Sequence, residues 1–424
     1  MTCLIKNVTV VDPKNKIHGT MDVLVKDGKI ADVKKGLQTD GDVVEGKGRV
    51  LVPGLVDMHV HLREPGCEGA ETIDSGCRAA AKGGFTGVAC MPNTTPPIDS
   101  AGTVRYILEK AKSSACRVFP VGTISKERAG KELAPFGELI ENGVYGFTDD
   151  GSGVMDSGLM RRALEYSKMF NKALMPHEED ELLSAHGAMH EGGVSTRLGI
   201  PGIPRAAEEC MMERDIRLVK CFGGRLHITH VSTKGGVEII RQAKAEGLPV
   251  TGESAPHYWT LFDKDVNFNT NFKMYPPLRT PEDGEAIIEG LKDGTLDAIV
   301  TDHAPHAEAN KDVEYNVAAF GIIGLETSLG LVLTTLYHKK ILDLEAIIER
   351  MSYGPCRILG VENQGIAKGA DAHLTLIDLE KEWIVKKEEI VSKSKNSPFI
   401  GWSLKGQVVG TMVNGIWTYQ INDD

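Results

Sequence analysis

An α/β fold, a (β/α)8 barrel of the TIM type with a small β domain assembled from both chain termini, is the architecture the sequence predicts. Three observations carry this expectation. Strand-like alternation crowds residues 1–53 and 361–424, while residues 54–360 repeat a unit of short apolar strand, loop and helical stretch. The 424 residues also include 47 glycines, which suits a fold with many tight strand–helix turns. A barrel of about 250 residues plus one smaller domain accounts for the length.

The N-terminal pattern runs Leu4–Val11, then Asp22–Lys26 through an Asp27-Gly28 turn into Lys29–Val33, then Arg49–Val52. Asp-Gly between alternating runs predicts a hairpin. Strands so short do not make a stable domain alone. Their partners are expected at the other end, in Ala372–Leu379, Trp383–Val385 and Gln407–Tyr419, the last with an Asn414-Gly415 turn. Between them, barrel strands are expected at Leu55–Leu62, Gly87–Met91, Arg117–Gly122, Gly143–Thr148, Ala173–His177, Leu226–Val231, Leu248–Ser254 and Ala298–Asp302, with helices such as Ala101–Ala115 and Ser157–Phe170. Strands alternating with helices in this way argue for a parallel barrel.

Formal net charge is −11, and no basic stripe with interleaved aromatics occurs, so nucleic acid is not an expected partner. No run approaches the ~18 apolar residues of a membrane span, and Met1-Thr-Cys-Leu-Ile-Lys lacks the apolar core of a signal peptide. The eight cysteines are scattered without a CxxC pair, which reads as reduced thiols. A cytoplasmic protein acting on a small molecule is expected. An anionic substrate would need a local cation aimed into the site.

The residues able to do chemistry fall at strand ends. Strand one reads Val56-Asp-Met-His59-Val-His61-Leu-Arg63. Residues i and i+2 of a strand share a face, so His59 and His61 project side by side, with Arg63 just beyond. Strand four ends at Asp149-Asp150-Gly151, strand five at His177, strand six at His227-Ile-Thr-His230 and strand eight at Asp302-His303-Ala-Pro-His306. Singly each has an ordinary explanation: Asp149 and Asp150 as a helix-capping turn, the histidines as hydrogen-bonded barrel residues. His186 and His190 are assigned to a helical stretch without a role in the site, and His227, three residues from His230, to the opposite face of its strand. Together, histidines and aspartates ending five strands point to a metal centre, because barrel sites sit at the C-terminal face.

His59 and His61 with Asp302 would hold one divalent ion and His177 with His230 a second, with Asp150 bridging both. Nitrogen and carboxylate ligands without thiolate suit Zn2+, with Co2+ or Mn2+ as substitutes. Such an ion brings the pKa of a water towards neutrality. Asp302 is placed to take that proton and return it to a leaving nitrogen, which is amide hydrolysis run in either direction.

The motifs that carry a family resemblance span the chain: His59-Val-His-Leu-Arg-Glu-Pro-Gly66, Met91-Pro-Asn-Thr94, Phe147-Thr-Asp-Asp-Gly151, His177-Glu-Glu-Asp180, His230-Val-Ser-Thr233, Tyr275-Pro-Pro-Leu-Arg279, Thr301-Asp-His-Ala-Pro-His306, Phe320-Gly-Ile-Ile-Gly-Leu-Glu326 and Asn396-Ser-Pro-Phe-Ile-Gly-Trp402. The chain resembles the amidohydrolase superfamily and, within it, the bacterial and archaeal type of dihydroorotase. The resemblance implies one or two zinc ions per subunit on the ligand set above, and Asp302 as catalytic acid and base. It implies reversible cyclisation of N-carbamoyl-L-aspartate to L-dihydroorotate, in pyrimidine synthesis. Substrate contacts are implied at His61, Arg63, Asn93, Tyr275 and His306, with backbone groups at Phe320–Gly321 gripping the ring. A homodimer and an association with aspartate carbamoyltransferase are implied as partners.

Two positions depart from the family pattern: Tyr275 stands where related sequences show Asn, and Pro256-His257-Tyr258 is similar to allantoinases. Hydantoinases and allantoinases resemble a pattern with a carbamylated lysine on strand four, where this chain has Asp150. A hydantoinase or allantoinase acting on five-membered ureides is therefore the alternative within the class, and an inactive scaffold for the carbamoyltransferase the alternative outside it. All six metal-ligand positions are present, which favours a catalyst. The polar segment Ala307–Val317 after strand eight is expected to be a mobile lid.

Overall fold

A computed structural model describes residues 2–421. The first 53 residues give β1 (Thr2–Asp12), β2 (Ile17–Lys26), β3 (Lys29–Lys34), β4 (Asp42–Glu45) and β5 (Val50–Pro53). Asp27 and Gly28 take the left-handed conformation that a two-residue hairpin requires (φ 51° and 82°).

Eight strands then close a ring. β6 (Leu55–Val60) pairs in parallel with β7 (Phe85–Cys90), and β7 with β8 (Arg117–Pro120). The fourth position is held by Phe147 alone, bridging Gly122 on one side and Leu174 on the other. Next come β9 (Ala173–Leu174), then, past a small ribbon of β10 (Met189–His190) and β11 (Gly202–Ile203), β12 (Arg225–Ile228), β13 (Val250–Ser254) and β14 (Ala298–Ile299). His303 bridges back to Val60 and closes the barrel.

The expected strand Gly143–Thr148 is thus much shorter than its apolar pattern suggests. Gly143 leaves the preceding helix with φ 103°, so pairing with strand three starts only at Tyr145, whose N–H donates to the Pro120 carbonyl at 2.9 Å, and continues where the Gly146 carbonyl accepts from the Gly122 N–H at 2.9 Å. The stretch holding His186 and His190 is not helical. His186 lies in a turn, and His190 pairs with Ile203 in the β10–β11 ribbon.

Helices cover the outside of the barrel with small and aliphatic residues. In Ile73–Lys82, the buried residues Ile73, Cys77, Ala80 and Ala81 form one face, and Thr72 caps the first turn in a reciprocal pair with Ser75. Ser157–Ser167 begins at Asp156, whose carboxylate accepts from the Gly158 and Leu159 N–H groups. Asp149 and Asp150 are therefore not that helix's cap.

The C-terminal strands are β15 (Leu374–Ile384), β16 (Ser403–Val413) and β17 (Ile416–Gln420). They complete one sheet with the N-terminal strands in the order β17-β16-β15-β5-β1-β2-β3, with β4 on β1. Its inner face makes a core of its own, with Ile5, Val23, Leu51, Leu374 and Met412 among its members. Among the described residues no helix is long and apolar enough to cross a membrane.

The joint between sheet and barrel is tight at Gly84, where φ is 90° and an added Cβ would lie 2.8 Å from Thr375 Cγ2 and 3.0 Å from Val408 Cγ2. Its carbonyl also accepts from the Thr375 hydroxyl at 2.7 Å. Gly84→Ala combines a left-handed Cβ with overpacking and should cost about 1–3 kcal/mol. A thermal unfolding midpoint equal to that of the parent would refute this account of the joint.

Candidate metal centre

Each site residue leaves a barrel strand at its C-terminal end. Three do so in a conformation that L residues avoid: Arg63, His230 and Asp302 have φ of 62°, 34° and 47°. Such backbone persists only where its surroundings over-determine it. Around Asp302 they do. Asp57 accepts from the His59 N–H at 3.0 Å and the Thr301 N–H at 3.2 Å, and the His61 N–H donates to the His303 carbonyl at 2.8 Å. Strands one and eight are thereby sewn together beside the site.

The four expected histidines converge on Asp150. Its Oδ1 lies 3.4 Å from His59 Nε2, 3.5 Å from His230 Nε2 and 3.8 Å from His177 Nδ1, and its Oδ2 lies 3.5 Å from His61 Nε2. Asp302 Oδ1 lies 3.1 Å from His61 Nε2 and 3.6 Å from His59 Nε2. Two groups of ligand atoms result, His59 with His61 and Asp150, and Asp150 with His177 and His230, each spanning no more than 4.8 Å. Asp150 is common to both.

The outward nitrogens decide which lone pairs face inward. His59 Nδ1 lies 2.6 Å from Glu253 Oε1, and His177 Nε2 lies 3.1 Å from Glu179 Oε2. A carboxylate can only accept, so these nitrogens carry the protons. His59 Nε2 and His177 Nδ1 are left facing the cluster, the first 3.4 Å from Asp150 Oδ1 and the second 2.9 Å from His230 Nε2. His61 Nδ1 likewise donates to Asn93 Oδ1 at 2.8 Å, which leaves Asn93 Nδ2 for another partner. Carboxylates behind imidazoles are the usual device for fixing a metal-binding tautomer.

The residues fit a divalent cation. His59 Nε2 and Asp150 Oδ1 are buried without any hydrogen-bond partner among the described residues. Burial opposes a charged His59, yet the carboxylates of Asp150 and Glu253 hold its pKa well above the ordinary range. Burial likewise disfavours the Asp150 carboxylate, and the surrounding imidazoles outweigh it and hold it well below its ordinary value. Both directions say that the cluster draws positive charge. Nitrogen and oxygen donors are those of zinc and its first-row relatives.

Arg63, Asn93, Tyr275, His306, Phe320 and Gly321 line a cavity of about 360 Å³ together with the cluster. Arg63 Nε donates to the Pro305 carbonyl at 3.0 Å, and among the described residues the guanidinium makes no ion pair. His306 Nε2 lies 2.6 Å from the Phe320 carbonyl and donates to it. Burial and Arg63 press its pKa down to about 3, so it is neutral. The Gly321 N–H is occupied by the Lys273 carbonyl at 2.9 Å. Tyr275 stacks on His177, with ring centroids 4.9 Å apart, and leans on Phe320.

Another expectation is corrected. His227 is not turned away from the chemistry: its Nε2 lies 3.0 Å from Glu253 Oε2, the carboxylate whose other oxygen meets His59 Nδ1. Within the segment 307–317, the buried Lys311 donates to the Ala319 and Gly321 carbonyls at 2.8 and 3.0 Å. Sequence reasoning missed Glu253, Glu179 and His257, whose buried Nε2 lacks a partner among the described residues. A glutamate inside the apolar strand Val250-Thr-Gly-Glu253-Ser was the available signal.

Comparison with known proteins places this geometry. The family described as Dihydro-orotase-like matches residues 48–236. The chain is 50% identical over 425 residues to a dihydroorotase of Syntrophus aciditrophicus, covering 99% of this chain and all of that one. It is also 50% identical over 424 residues to a dihydroorotase of Citrifermentans bemidjiense, again covering 99% of this chain and all of the relative. Among solved structures, an L-hydantoinase (dihydropyrimidinase) from Arthrobacter aurescens superposes with a TM-score of 0.88 at 26% identity, covering 99% of this chain and 96% of that one. A dihydropyrimidinase from Brevibacillus agri gives 0.86 at 22% identity, covering 99% and 95%, a likeness of fold.

Glu253→Gln removes the charge that orients His59 while keeping the side-chain shape. Affinity for the ion at His59 and His61 should fall about 10–100-fold with the fold retained. Unchanged affinity in a Zn2+ titration would show that Glu253 does not orient the ligand.

Proposed function

The chain belongs to the dihydroorotase-like family of the amidohydrolases, and on that premise we propose that it interconverts N-carbamoyl-L-aspartate and L-dihydroorotate with zinc at the Asp150 centre. The observation that carries this reading is Arg63, a guanidinium without an ion pair on the wall of the cavity that holds Asp150, His61 and Asp302. A guanidinium in that place can clamp a carboxylate with two parallel bonds. Dihydroorotate has a ring carboxylate to offer and a hydantoin does not. Half of the residues shared with dihydroorotases over nearly the whole length supports the same choice.

His59, His61, Asp150, His177, His230 and Asp302 would hold the ions, which would polarise the amide carbonyl and lower the pKa of an attacking water. Asp302 takes the role of general base and then general acid. Burial works against its ionised form, but His61 and His59 outweigh burial and hold it below its ordinary range, so it is ready to accept a proton. In ring opening it accepts that proton from water and delivers it to the ring nitrogen as the C–N bond breaks. In ring closure it removes the proton from the ureido nitrogen as the C–N bond forms and returns it to the carboxyl oxygen, which leaves as water as its C–O bond breaks. Asn93 Nδ2 and His306 are positioned to orient the ring, and Tyr275 with Phe320 forms its apolar wall. Such a reaction belongs to pyrimidine synthesis.

The decisive experiment is turnover of L-dihydroorotate by zinc-replete protein, beside hydantoin and allantoin in the same assay. Selective opening of dihydroorotate is expected. Activity confined to a five-membered ring would replace this reading by the hydantoinase one, and inactivity towards all three would favour a scaffold.

Asp302→Asn should lower kcat by about 100-fold or more, the usual contribution of a positioned acid–base group. Near-parental turnover would remove Asp302 from that role. Arg63→Ala should weaken substrate binding about 10–100-fold, corresponding to about 1.5–3 kcal/mol for a hydrogen bond to a charged group. An unchanged KM for dihydroorotate would refute the clamp.

A further inference from the structure

The loop that follows barrel strand three carries a strain unexplained by its own turn. Glu127 and Arg128 are consecutive residues in the left-handed region, with φ of 54° and 56°, and neither is glycine. Each such residue costs about 1–3 kcal/mol and persists where other contacts hold it. The contacts are specific. The Glu127 N–H donates to Asp99 Oδ2 at 2.9 Å, and Asp149 accepts from the Ile124 and Ser125 N–H groups at 2.9 and 3.0 Å and from the Ser125 hydroxyl. The loop is thus fastened to the turn that ends strand four.

Held in this way, the Arg128 side chain closes over the backbone of the shared metal ligand. Its Nη2 donates to the Asp150 carbonyl at 2.6 Å and the Asp149 carbonyl at 3.1 Å, and approaches the Ser152 hydroxyl at 3.3 Å. The Asp150 N–H is bonded at 3.0 Å to Thr148 Oγ1. Both ends of the Asp150 residue are therefore pinned. Without Arg128, the turn 149–152 would keep the Asp149 side-chain anchors, the Asp150 N–H bond to Thr148 Oγ1 and the backbone bond from Ser152 N–H to the Asp149 carbonyl, but nothing would hold the Asp150 carbonyl.

We propose that Arg128 is the positioning residue of the metal centre: by gripping the Asp149 and Asp150 carbonyls it fixes the carboxylate that both ligand groups share. The strained loop exists to present that guanidinium. Because Asp150 serves both groups, loss of Arg128 weakens both ions, whereas Glu253 and Glu179 each stand behind a histidine of one group. The inference rests on the reading of the cluster as a metal centre and is independent of which cyclic amide is the substrate.

The test is titration of metal-free protein with Co2+, read by visible absorption and calorimetry without substrate, for the parent, Arg128→Ala, Arg128→Lys and Glu127→Gly. Arg128→Ala should lose tenfold or more in affinity for both ions, and millimolar guanidinium should restore part of it. Arg128→Lys, with one point donor in place of a planar fork, should fall between. Glu127→Gly, which relieves the left-handed φ but keeps the guanidinium, should raise the melting temperature and leave Co2+ affinity at the parental value. Parental affinity in Arg128→Ala would overturn the proposal. So would an equal loss in Glu127→Gly, since loop stiffness and not the guanidinium would then be responsible. If Arg128→Ala does not fold, Arg128→Lys decides: an affinity equal to that of the parent overturns the proposal. A parent that takes up no Co2+ defeats the metal centre itself, and this inference with it.

Discussion

The open end of the barrel is organised around one buried carboxylate. Asp150 lies among four imidazoles, and one of its oxygens has no hydrogen-bond partner within the described residues. Removing a carboxylate from water costs several kcal/mol unless charge of the other sign is supplied. The protein's own devices make the deficit larger. Glu253 and Glu179 orient His59 and His177 by adding negative charge behind them, and Asp302 adds more beside His61. Positive charge within the cluster is the only consistent remedy. Divalent ions supply it without disturbing the tautomers that the outer carboxylates impose.

That demand explains why so much of the molecule is stiff. Arg63, His230 and Asp302 hold backbone angles that isolated residues avoid, and each leaves a different strand. Short parallel strands, several only two residues long, would not restrain such angles alone. The closed ring does, with bridges from His303 to Val60 and from Phe147 to both neighbours. The sheet from the two termini completes the support, because β5 ends at Pro53 and β6 starts at Leu55 with only Gly54 between them. Strand one of the barrel is therefore an extension of the outer sheet.

The architecture itself does not choose the substrate. Hydantoinases share it at TM-scores up to 0.88 with only 20–26% identity. The cavity wall is where this chain has its own chemistry: Arg63 presents charge, Asn93 and His306 present polar groups, and Tyr275 with Phe320 presents aromatic faces. Tyr275 is bulkier than the Asn expected there and stacks on His177, one of the histidines around Asp150. Its place in the wall is thus bound up with the geometry of His177.

Elements whose causes are local are legible in the chain without its fold. Apolar periodicity marked the barrel, Asp27-Gly28 and Asn414-Gly415 marked hairpins, and the i, i+2 spacing of His59 and His61 set two imidazoles on one face. Histidines and aspartates at strand ends then marked the site. The remaining features were set by partners distant in the chain. The short fourth strand depended on Gly143, the bonds from 307–317 to the Ala319 and Gly321 carbonyls on Lys311, and the role of His227 on Glu253 from the neighbouring strand. Arg128 reaches Asp150 from 22 residues away. Strand and helix periods report which face a residue occupies, but a hydrogen bond across the barrel depends on how eight strands meet, and no local pattern encodes that.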